Sequence, residues 1–361
     1  MDGELGDFTA RVLKKARYVD ESKCTACGDC AARCPVKRIP DDFEEGLTNR
    51  RAIYMYFSQG YPAVYTIDKD RCTWFLKGGK CGVCKKVCQA DAIDFEQKDQ
   101  EIELKVGAVI LATGYDPYRP YELEQYGFGR IPDVVTAIQY ERLITAGGPT
   151  AGHLLRRSNN EPVKSLAFLQ CIGSRDETTN PYCCTYGCMH AIKEGMLARE
   201  HDPDCEVTIF YTDCRAVGKG FEAYRMRGEG QYGLNYVRGR VAEIQEEPET
   251  RRPVIWYEAT EEGRVHKLTV DMAVLTTACV PAKGVEELAA KLDVELNPYR
   301  FVKTDPYTGI HTSRPGILAI GCCTAPMDIP ESVAQASSAA AEAAALVGGG
   351  QAVAPREAAG G

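Results

Sequence analysis

CTACGDCAARCP, residues 24–35, is the stretch that decides the fold of the first part of this chain. Its four cysteines have the spacing C-x2-C-x2-C-x3-C and stand directly before a proline: Cys24, Cys27, Cys30 and Cys34. Bacterial ferredoxins hold a [4Fe–4S] cluster with this spacing. A short loop can surround three corners of the cube while the fourth cysteine enters a helix and reaches across. The sequence therefore predicts a ferredoxin-type iron–sulfur domain.

A second run of cysteines has the spacing C-x8-C-x2-C-x3-C: Cys72, Cys81, Cys84 and Cys88. Its first step is longer than usual, and Gln89 stands where proline is typical. In two-cluster ferredoxins the fourth cysteine of each run binds the other cluster. We therefore expect one cluster on Cys24, Cys27, Cys30 and Cys88, and the other on Cys72, Cys81, Cys84 and Cys34.

The composition narrows the possible roles of the cysteines and the possible classes of protein. The 361 residues include 17 cysteines, and they contain neither an apolar leader nor a long uncharged apolar run. This argues against a secreted disulfide scaffold or a membrane span, and it predicts a cytoplasmic protein whose free thiols bind metal. Zinc ribbons also use C-x2-C pairs, but the third and fourth cysteines of each run have no use in a tetrahedral zinc site. The net charge of -8 argues against nucleic-acid binding.

The rest of the chain has an α/β pattern. VGAVILATG, residues 106–114, predicts a buried parallel strand, and the A-T-G at its end is typical of flavoproteins with two dinucleotide-binding domains. A strand at 163–171, a helix at 189–201 and a strand at 205–213 predict a β-loop-α-β crossover. The turn after its first strand has no G-x-G-x-x-G nicotinamide fingerprint and carries thiols instead. GEGQYG, residues 228–233, matches that fingerprint only formally, since no strand precedes it.

The cysteines of this turn suggest a third [4Fe–4S] cluster: Cys171, Cys183, Cys184 and Cys188. Ligands of such sheets bind at the mouths of parallel strands. Two alternatives stay open, because adjacent cysteines rarely bind one cluster together: three cysteines with another group as ligand, or buried thiols that only pack. Packing is the expected role of the isolated Cys205, Cys214 and Cys279.

Five stretches together resemble the A subunit of heterodisulfide reductase and its relatives in sulfate reducers and other anaerobes. The resemblance covers about residues 10–347. The stretches are RYVDESKCTACGDCAARCPV (17–36), EEGLTNRRAIYMYF (44–57), KVGAVILATGYDPY (105–118), LQCIGSRDETTNPYC (169–183) and DIPESVAQASSAA (328–340).

The resemblance implies an incomplete thioredoxin-reductase-like α/β flavoprotein fold of two dinucleotide-binding domains. A bacterial-type α+β 2[4Fe–4S] ferredoxin domain is inserted in it. The resemblance further implies an oxidoreductase component that passes electrons between FAD and [4Fe–4S] clusters, in some members by flavin-based bifurcation. Expected partners are B and C subunits, an electron-donor subunit (hydrogenase, formate dehydrogenase or NADH-linked) and a second copy of the assembly. An alternative is a flavin-free iron–sulfur protein that only conducts electrons or serves as a scaffold.

Two departures from the family pattern matter. Family members begin with a glycine-rich ADP-binding unit before the first ferredoxin motif, and this chain begins after it. We therefore expect one half of a split protein, with FAD shared with a partner polypeptide; a misassigned start codon or a truncation is the alternative. In the second departure, the turn group of the family commonly ends in a cysteine pair, whereas here Gly187 precedes Cys188 and the pair is Cys183-Cys184. This departure concerns the ligands of the third cluster.

The resemblance also suggests which residues meet the flavin. Lys193 is expected as a cation or hydrogen-bond donor near the flavin N5, and the pair Cys322-Cys323 is expected to pack against the cofactor. The helix that begins near Pro330 would direct its N-terminus at the flavin, where it stabilises negative charge. The expected FAD contacts are Thr113, Gly114, Gly321, Cys322, Asp328, Ile329, Pro330 and Ser332.

These inferences divide the chain into six segments. They are a residual strand of the FAD domain (1–20), the ferredoxin domain (21–98), an FAD-domain segment with the A-T-G motif (99–155), a degenerate NAD(P)-like domain (156–285), a C-terminal FAD-domain segment (286–347) and a disordered tail (348–361).

Overall fold

The computed structural model describes residues 1–348, so the predicted tail lies outside the described residues except for Gly348. The chain divides into two compact units. The smaller unit comprises Arg11–Leu104 and Thr145–Gly152. The larger unit comprises Met1–Ala10, Lys105–Ile144 and the described residues from His153 onward.

The helices are α1 (Asp29–Ala32), α2 (Thr73–Leu76), α3 (Val83–Val87), α4 (Ala137–Ile144), α5 (Gly187–His201), α6 (Phe221–Gly230), α7 (Val285–Leu292) and α8 (Ile329–Val347). The strands are β1 (Asp2–Glu4), β2 (Asp7–Lys14), β3 (Ile39–Pro40), β4 (Asn49–Arg50), β5 (Ile53–Tyr54), β6 (Thr66–Ile67), β7 (Gln100–Val106), β8 (Val109–Leu111), β9 (Tyr115–Pro117), β10 (Val134–Thr136), β11 (Ser165–Ile172), β12 (Glu206–Tyr211), β13 (Asn235–Glu246), β14 (Pro253–Ala259), β15 (Arg264–Thr269), β16 (Met272–Thr277), β17 (Cys279–Pro281) and β18 (Ile317–Ala319).

The smaller unit is built around the two cysteine runs. Its regular structure is short, with two strand pairs, β3–β4 and β5–β6, and three helices of at most five residues. The core is apolar and includes four of the cysteines as buried side chains. In it, the rings of Trp74 and Phe95 stack with centroids 4.2 Å apart. With so little secondary structure, the unit depends on this core and on whatever its thiols bind.

The larger unit contains a seven-stranded mixed sheet of order β10-β16-β11-β12-β13-β14-β15. The first five strands are parallel, and β14 and β15 continue the sheet antiparallel. Helix α5 connects the parallel neighbours β11 and β12, as the sequence predicts. The carboxyl ends of β11 and β12 therefore lie side by side with the N-terminus of α5, which is where such sheets place ligands.

The formal G-x-G-x-x-G match is not a dinucleotide site. Its first glycines, Gly228 and Gly230, end helix α6, and the strand β13 comes after the motif and not before it. The order strand, glycine turn, helix that holds a phosphate is therefore reversed here.

A second part of the larger unit gathers the segments expected to touch the flavin. β8 pairs parallel with β18, and β9 pairs antiparallel with β17. The strand before the A-T-G motif, β8, ends at Leu111 and is shorter and less buried than expected, since its sheet has only two strands in the described part of the chain and Ile110 is 39% exposed. The first 20 residues also differ from expectation, since they form two antiparallel strands, β1 and β2, and not one.

Among residues 1–348, no helix combines the length and the apolar character that crossing a bilayer requires.

Candidate functional site

The smaller unit contains a cavity lined by four cysteines, called here the first thiol cavity. Gly28, Tyr65 and Ile93 complete much of its wall. Its cysteines come from the loop before α1, from α1 itself and from the C-terminal end of α3. They are Cys24, Cys27, Cys30 and Cys88.

The second thiol cavity, also in the smaller unit, has the reciprocal composition. Trp74, Ile53 and Val83 form part of its wall. Its cysteines are Cys34, Cys72, Cys81 and Cys84. Each cavity thus receives three cysteines from one run and the fourth from the other, which is the exchanged arrangement expected from the spacing.

Two glycines shape the loops around these cavities. Gly28 precedes α1 with φ +88°, and Gly82 precedes α3 with φ +93°. Glycine adopts this left-handed conformation without a steric penalty. A Cβ at Gly28 would also lie 3.3 Å from the hydroxyl of Tyr65, and one at Gly82 would lie 3.3 Å from the Trp74 ring. Both loops can therefore close tightly around a bound group.

The thiols at the centre of these cavities are held in an environment that disfavours free charge. Burial raises the pKa of Cys30 to about 11 and that of Cys84 to about 12, and the neighbouring cysteines contribute further. Clustered thiols become good thiolate ligands once a cation replaces their protons. The donor set, four sulfurs in an apolar pocket, fits an iron–sulfur cluster.

The cysteines predicted for a third cluster lie at the N-terminal end of α5. Cys171 is close to the end of β11, with φ +61°, and interacts electrostatically with both Cys183 and Cys188. Cys184 hydrogen-bonds to Cys183, but its side chain is 4% exposed and belongs to an apolar cluster with Cys279. The predicted set is therefore divided between two environments.

Cys214, for which the sequence predicts only packing, lies beside this group. Its thiol shares a hydrogen bond with Cys188, which lowers the pKa of Cys188 to about 7. The residue lies just beyond β12, so no spacing within the 171–188 run could have indicated it. Only the parallel pairing of β11 and β12 brings it to the same place.

A cleft of about 900 Å³ opens within the larger unit. Its wall includes Gly114 and Tyr115 after β8, parts of the helices α4 and α5, the segment from Arg215 to Phe221, and the N-terminus of α8. A volume of this size suits a bound cofactor. Seven of the eight residues expected to contact FAD line it: Gly114, Gly321, Cys322, Asp328, Ile329, Pro330 and Ser332.

Thr113 is the eighth residue, and it is not part of the cleft wall. It hydrogen-bonds through its backbone and its side chain to the thiol of Cys323, which is itself buried. Thr113 thus fixes the turn after β8 from behind. The neighbouring Gly114 has φ +70° and borders the cleft, and a Cβ added to it would meet no atom within 4 Å.

The N-terminus of α8 borders the cleft and is closed by a capping box. The Asp328 carboxylate accepts a hydrogen bond from the Glu331 N–H at 2.8 Å, and the Glu331 carboxylate accepts one from the Asp328 N–H at 3.0 Å. Ile329 and Val333 of this first turn are 79% and 58% exposed. Because this end of the 19-residue helix borders the cleft, the positive end of the helix dipole lies beside the cleft.

Lys193 lines the cleft within a group of charged side chains. Its ammonium contacts Glu141 Oε2 at 2.9 Å and Glu194 Oε1 at 2.8 Å, and His190 lies 3.2 Å from Glu141. Burial would lower the pKa of Lys193, but hydrogen bonds and attraction to Glu194 and Glu141 outweigh it, so the pKa is raised. Lys193 is therefore a permanent cation.

The sequence interpretation missed the other members of this group. Glu141, His190 and Glu194 each place a ligand atom within 4.8 Å of the others, so they could in principle hold a metal ion. The Lys193 ammonium already contacts both carboxylates, which makes a second cation unfavourable there. His190, Lys193 and Glu194 share a helix face at i, i+3 and i+4, a signal that the sequence does contain. Glu141 comes from α4, which is distant from α5 in the sequence.

The chain is similar to known iron–sulfur proteins. The family model of a 4Fe-4S binding domain matches residues 17–37. The chain is 45% identical over 97% of its length to an A-type iron-sulfur subunit of the CoB--CoM heterodisulfide reductase of Methanopyrus kandleri, covering 53% of that protein. It is 41% identical over 95% of its length to the A subunit of the H(2):CoB-CoM heterodisulfide,ferredoxin reductase of Methanothermobacter marburgensis, covering 51% of that protein.

The chain thus spans about half the length of the curated relatives it matches. Among solved structures, it is similar to thioredoxin reductase from Lactococcus lactis, with a TM-score of 0.44, 14% sequence identity and coverage of 82% of this chain and 86% of that one.

Proposed function

We propose that this chain, which belongs to the family of heterodisulfide reductase iron–sulfur A subunits, is an electron-transfer component of an oxidoreductase complex. Its task is to pass electrons between FAD and [4Fe–4S] clusters. The observation that carries the proposal is the combination of two four-thiol cavities in one unit with a large cleft beside further thiols in the other.

The two thiol cavities are the proposed sites of the ferredoxin clusters. The first would hold one cluster on its four cysteines, and the second would hold the other. Buried thiols with raised pKa values are poor nucleophiles and poor free acids, so metal binding is the role that suits them best. The left-handed turns at Gly28 and Gly82 bring the cysteine loops close to Tyr65 and Trp74, with no side chain in between.

The cleft is the proposed flavin site. FAD takes electrons in pairs and releases them singly to iron–sulfur clusters. Gly114 and Gly321 would admit close approach of the ring system, and the α8 N-terminus would stabilise negative charge on it. Lys193 would present a fixed positive charge on the opposite wall, held in position by Glu141 at 2.9 Å. Lys193 is our candidate for the residue nearest the flavin N5.

The proposed flavin site extends beyond the part of the fold that these residues supply. The sheet of β8 and β18 has two strands in the described residues, and Ile110, Ile329 and Val333 expose apolar surface beside it. A glycine-rich ADP-binding unit would extend that sheet and cover this surface. We propose that it is supplied from outside this sequence, either by a separate polypeptide or by the remainder of a longer one.

The proposed partners follow from the family. The Methanothermobacter relative is named for H2, the CoB-CoM heterodisulfide and ferredoxin. For this chain we propose an electron-donor subunit of the hydrogenase, formate dehydrogenase or NADH-linked type, and subunits of the B and C type. A dimer of the assembly and a reducing, cytoplasmic location, where the thiols stay free, complete the proposal.

The test is anaerobic purification of the complex through an affinity tag on this chain. We expect co-purifying subunits, iron for at least two clusters per chain and resolved flavin absorbance. A complex that carries iron but lacks flavin would overturn the flavin role and leave a protein that only conducts electrons. Absence of iron from the first and second thiol cavities would overturn the proposal as a whole.

A further inference from the structure

We propose that Cys214, and not Cys184, is the fourth ligand of the third iron–sulfur cluster, together with Cys171, Cys183 and Cys188. The inference rests on the proposed function, because it assigns a ligand to a cluster of that electron-transfer chain. Five thiols lie around the N-terminal end of α5, whereas a [4Fe–4S] cluster takes four. The surroundings of Cys184 and Cys214 differ enough to choose between them.

Cys214 lies where the ligands converge. The strands β11 and β12 are parallel neighbours, in register from Ser165 with Glu206 to Leu169 with Phe210. Cys171 near the end of β11 and Cys214 just after β12 are therefore on the same edge of the sheet. The Cys188 sulfur, on the first turn of α5, lies 4.0 Å from the carbonyl oxygen of the residue before Cys214 and hydrogen-bonds to the Cys214 thiol.

The segment that carries Cys214 is held in place by charge. Arg175, in the turn after β11, pairs with Asp213 through both of its terminal nitrogens, one of them at 3.3 Å. Arg215 lies 3.6 Å from the same carboxylate. Arg175 also hydrogen-bonds to Cys171. These ion pairs connect the two strand ends and place the guanidinium groups of Arg175 and Arg215 near Cys183, and that of Arg175 also near Cys171, which would offset the negative charge of a thiolate-bound cluster.

Cys184 lies in a different environment. Its side chain is 4% exposed, packs with Cys279 and Phe301, and fills the space beside Gly187. A Cβ at Gly187 would be 2.8 Å from the Cys184 sulfur, so this sulfur is closely packed against the start of α5. Cys184 is therefore a packing residue behind the site.

The experiment compares three serine variants of the full chain, purified anaerobically in its complex: Cys171→Ser, Cys184→Ser and Cys214→Ser. With three clusters per chain, Cys171→Ser and Cys214→Ser should each lose four irons, about a third of the total, and the EPR signal of one cluster. Cys184→Ser should keep both. The two ferredoxin clusters serve as the internal measure of folding, since they lie in the other unit.

The opposite pattern is full iron in Cys214→Ser and a loss of iron in both Cys184→Ser and Cys171→Ser. It would overturn the assignment of Cys214 as a ligand and would still support the existence of a third cluster. Full iron in Cys171→Ser as well would overturn the third cluster itself, and the ligand assignment with it. If Cys214→Ser fails to fold, the pair Cys214→Asp and Cys184→Asp is compared instead of the serine variants, because a carboxylate can still bind iron. An altered EPR signal in Cys214→Asp alone supports the assignment, and an altered signal in Cys184→Asp alone contradicts it.

Discussion

Arg156 and Asp133 form a buried ion pair, and replacing Arg156 with methionine is expected to destabilise the larger unit strongly. The two side chains are 3% and 0% exposed. Asp133 immediately precedes β10, which leads into α4 and so to Glu141 at the cleft. The pair therefore supports an element that places a charged residue beside Lys193.

The size of the effect follows from the contacts. Asp133 Oδ2 accepts hydrogen bonds from Arg156 Nε at 3.1 Å and Nη2 at 3.0 Å, and Nη2 also donates to the carbonyl of Thr250 at 2.9 Å. In the methionine variant Asp133 keeps hydrogen bonds from the backbone N–H and hydroxyl of Ser158, and Arg157 remains as a nearby charge. Removing one partner of a buried ion pair typically costs about 3–5 kcal/mol, because the other charge stays buried.

The assay is anaerobic unfolding in urea, monitored by tryptophan fluorescence. The chain has two tryptophans, so a Trp74→Phe background leaves Trp256 of the larger unit as the reporter. Glu161→Gln is the matched control: its carboxylate is 68% exposed and lies 3.8 Å from Arg156, and it should change the unfolding free energy by less than about 1 kcal/mol. A loss below about 1 kcal/mol for Arg156→Met would refute the reasoning.

Three shorter predictions concern the sites. Cys88→Ser should cost the cluster of the first thiol cavity and leave that of the second, by iron content and EPR; loss of the second cluster instead would refute the exchange of ligands. The hydrogen bond from Cys279 lowers the pKa of Cys322 to about 6, so iodoacetamide should modify Cys322 at neutral pH. Alanine at position 279 removes this hydrogen bond and serine can keep it, so the modification should be roughly tenfold slower in Cys279→Ala than in Cys279→Ser. Equal rates by mass spectrometry would contradict this. Burial raises the pKa of Glu194, so its contribution to stability is present at low pH and is lost as the pH rises through that raised pKa. Glu194→Gln should flatten the pH dependence of Tm on the side above the ordinary glutamate pKa, and an unchanged slope would count against it.

Local patterns were sufficient where the chemistry itself is local. The spacing of the three cysteines in α1 and the loop before it can be read from the sequence because the cluster imposes it. The crossover of β11, α5 and β12 follows from apolar periodicity, and α8 begins next to Pro330, as expected. These elements agree with expectation because their neighbours in space are also their neighbours in sequence.

Expectation and structure differ where the direction of a side chain decides which site the residue belongs to. Thr113 stands in the A-T-G motif beside Gly114, yet the turn directs it to Cys323 and directs Gly114 to the cleft. Cys183 and Cys184 are adjacent in the sequence, yet one borders the cleft and the other fills a gap beside Gly187. A spacing rule cannot separate such pairs, since the local backbone conformation sets the direction.

The sequence by itself determined the two ferredoxin-type cysteine runs and the α/β character of the rest, because ligand spacing and apolar periodicity are properties of short segments. Only the tertiary structure decided that Glu141 meets Lys193 and that Cys214 meets Cys188. These pairs form where parallel strands end and helices begin, so residues far apart in the chain become neighbours through sheet pairing, which no local pattern specifies.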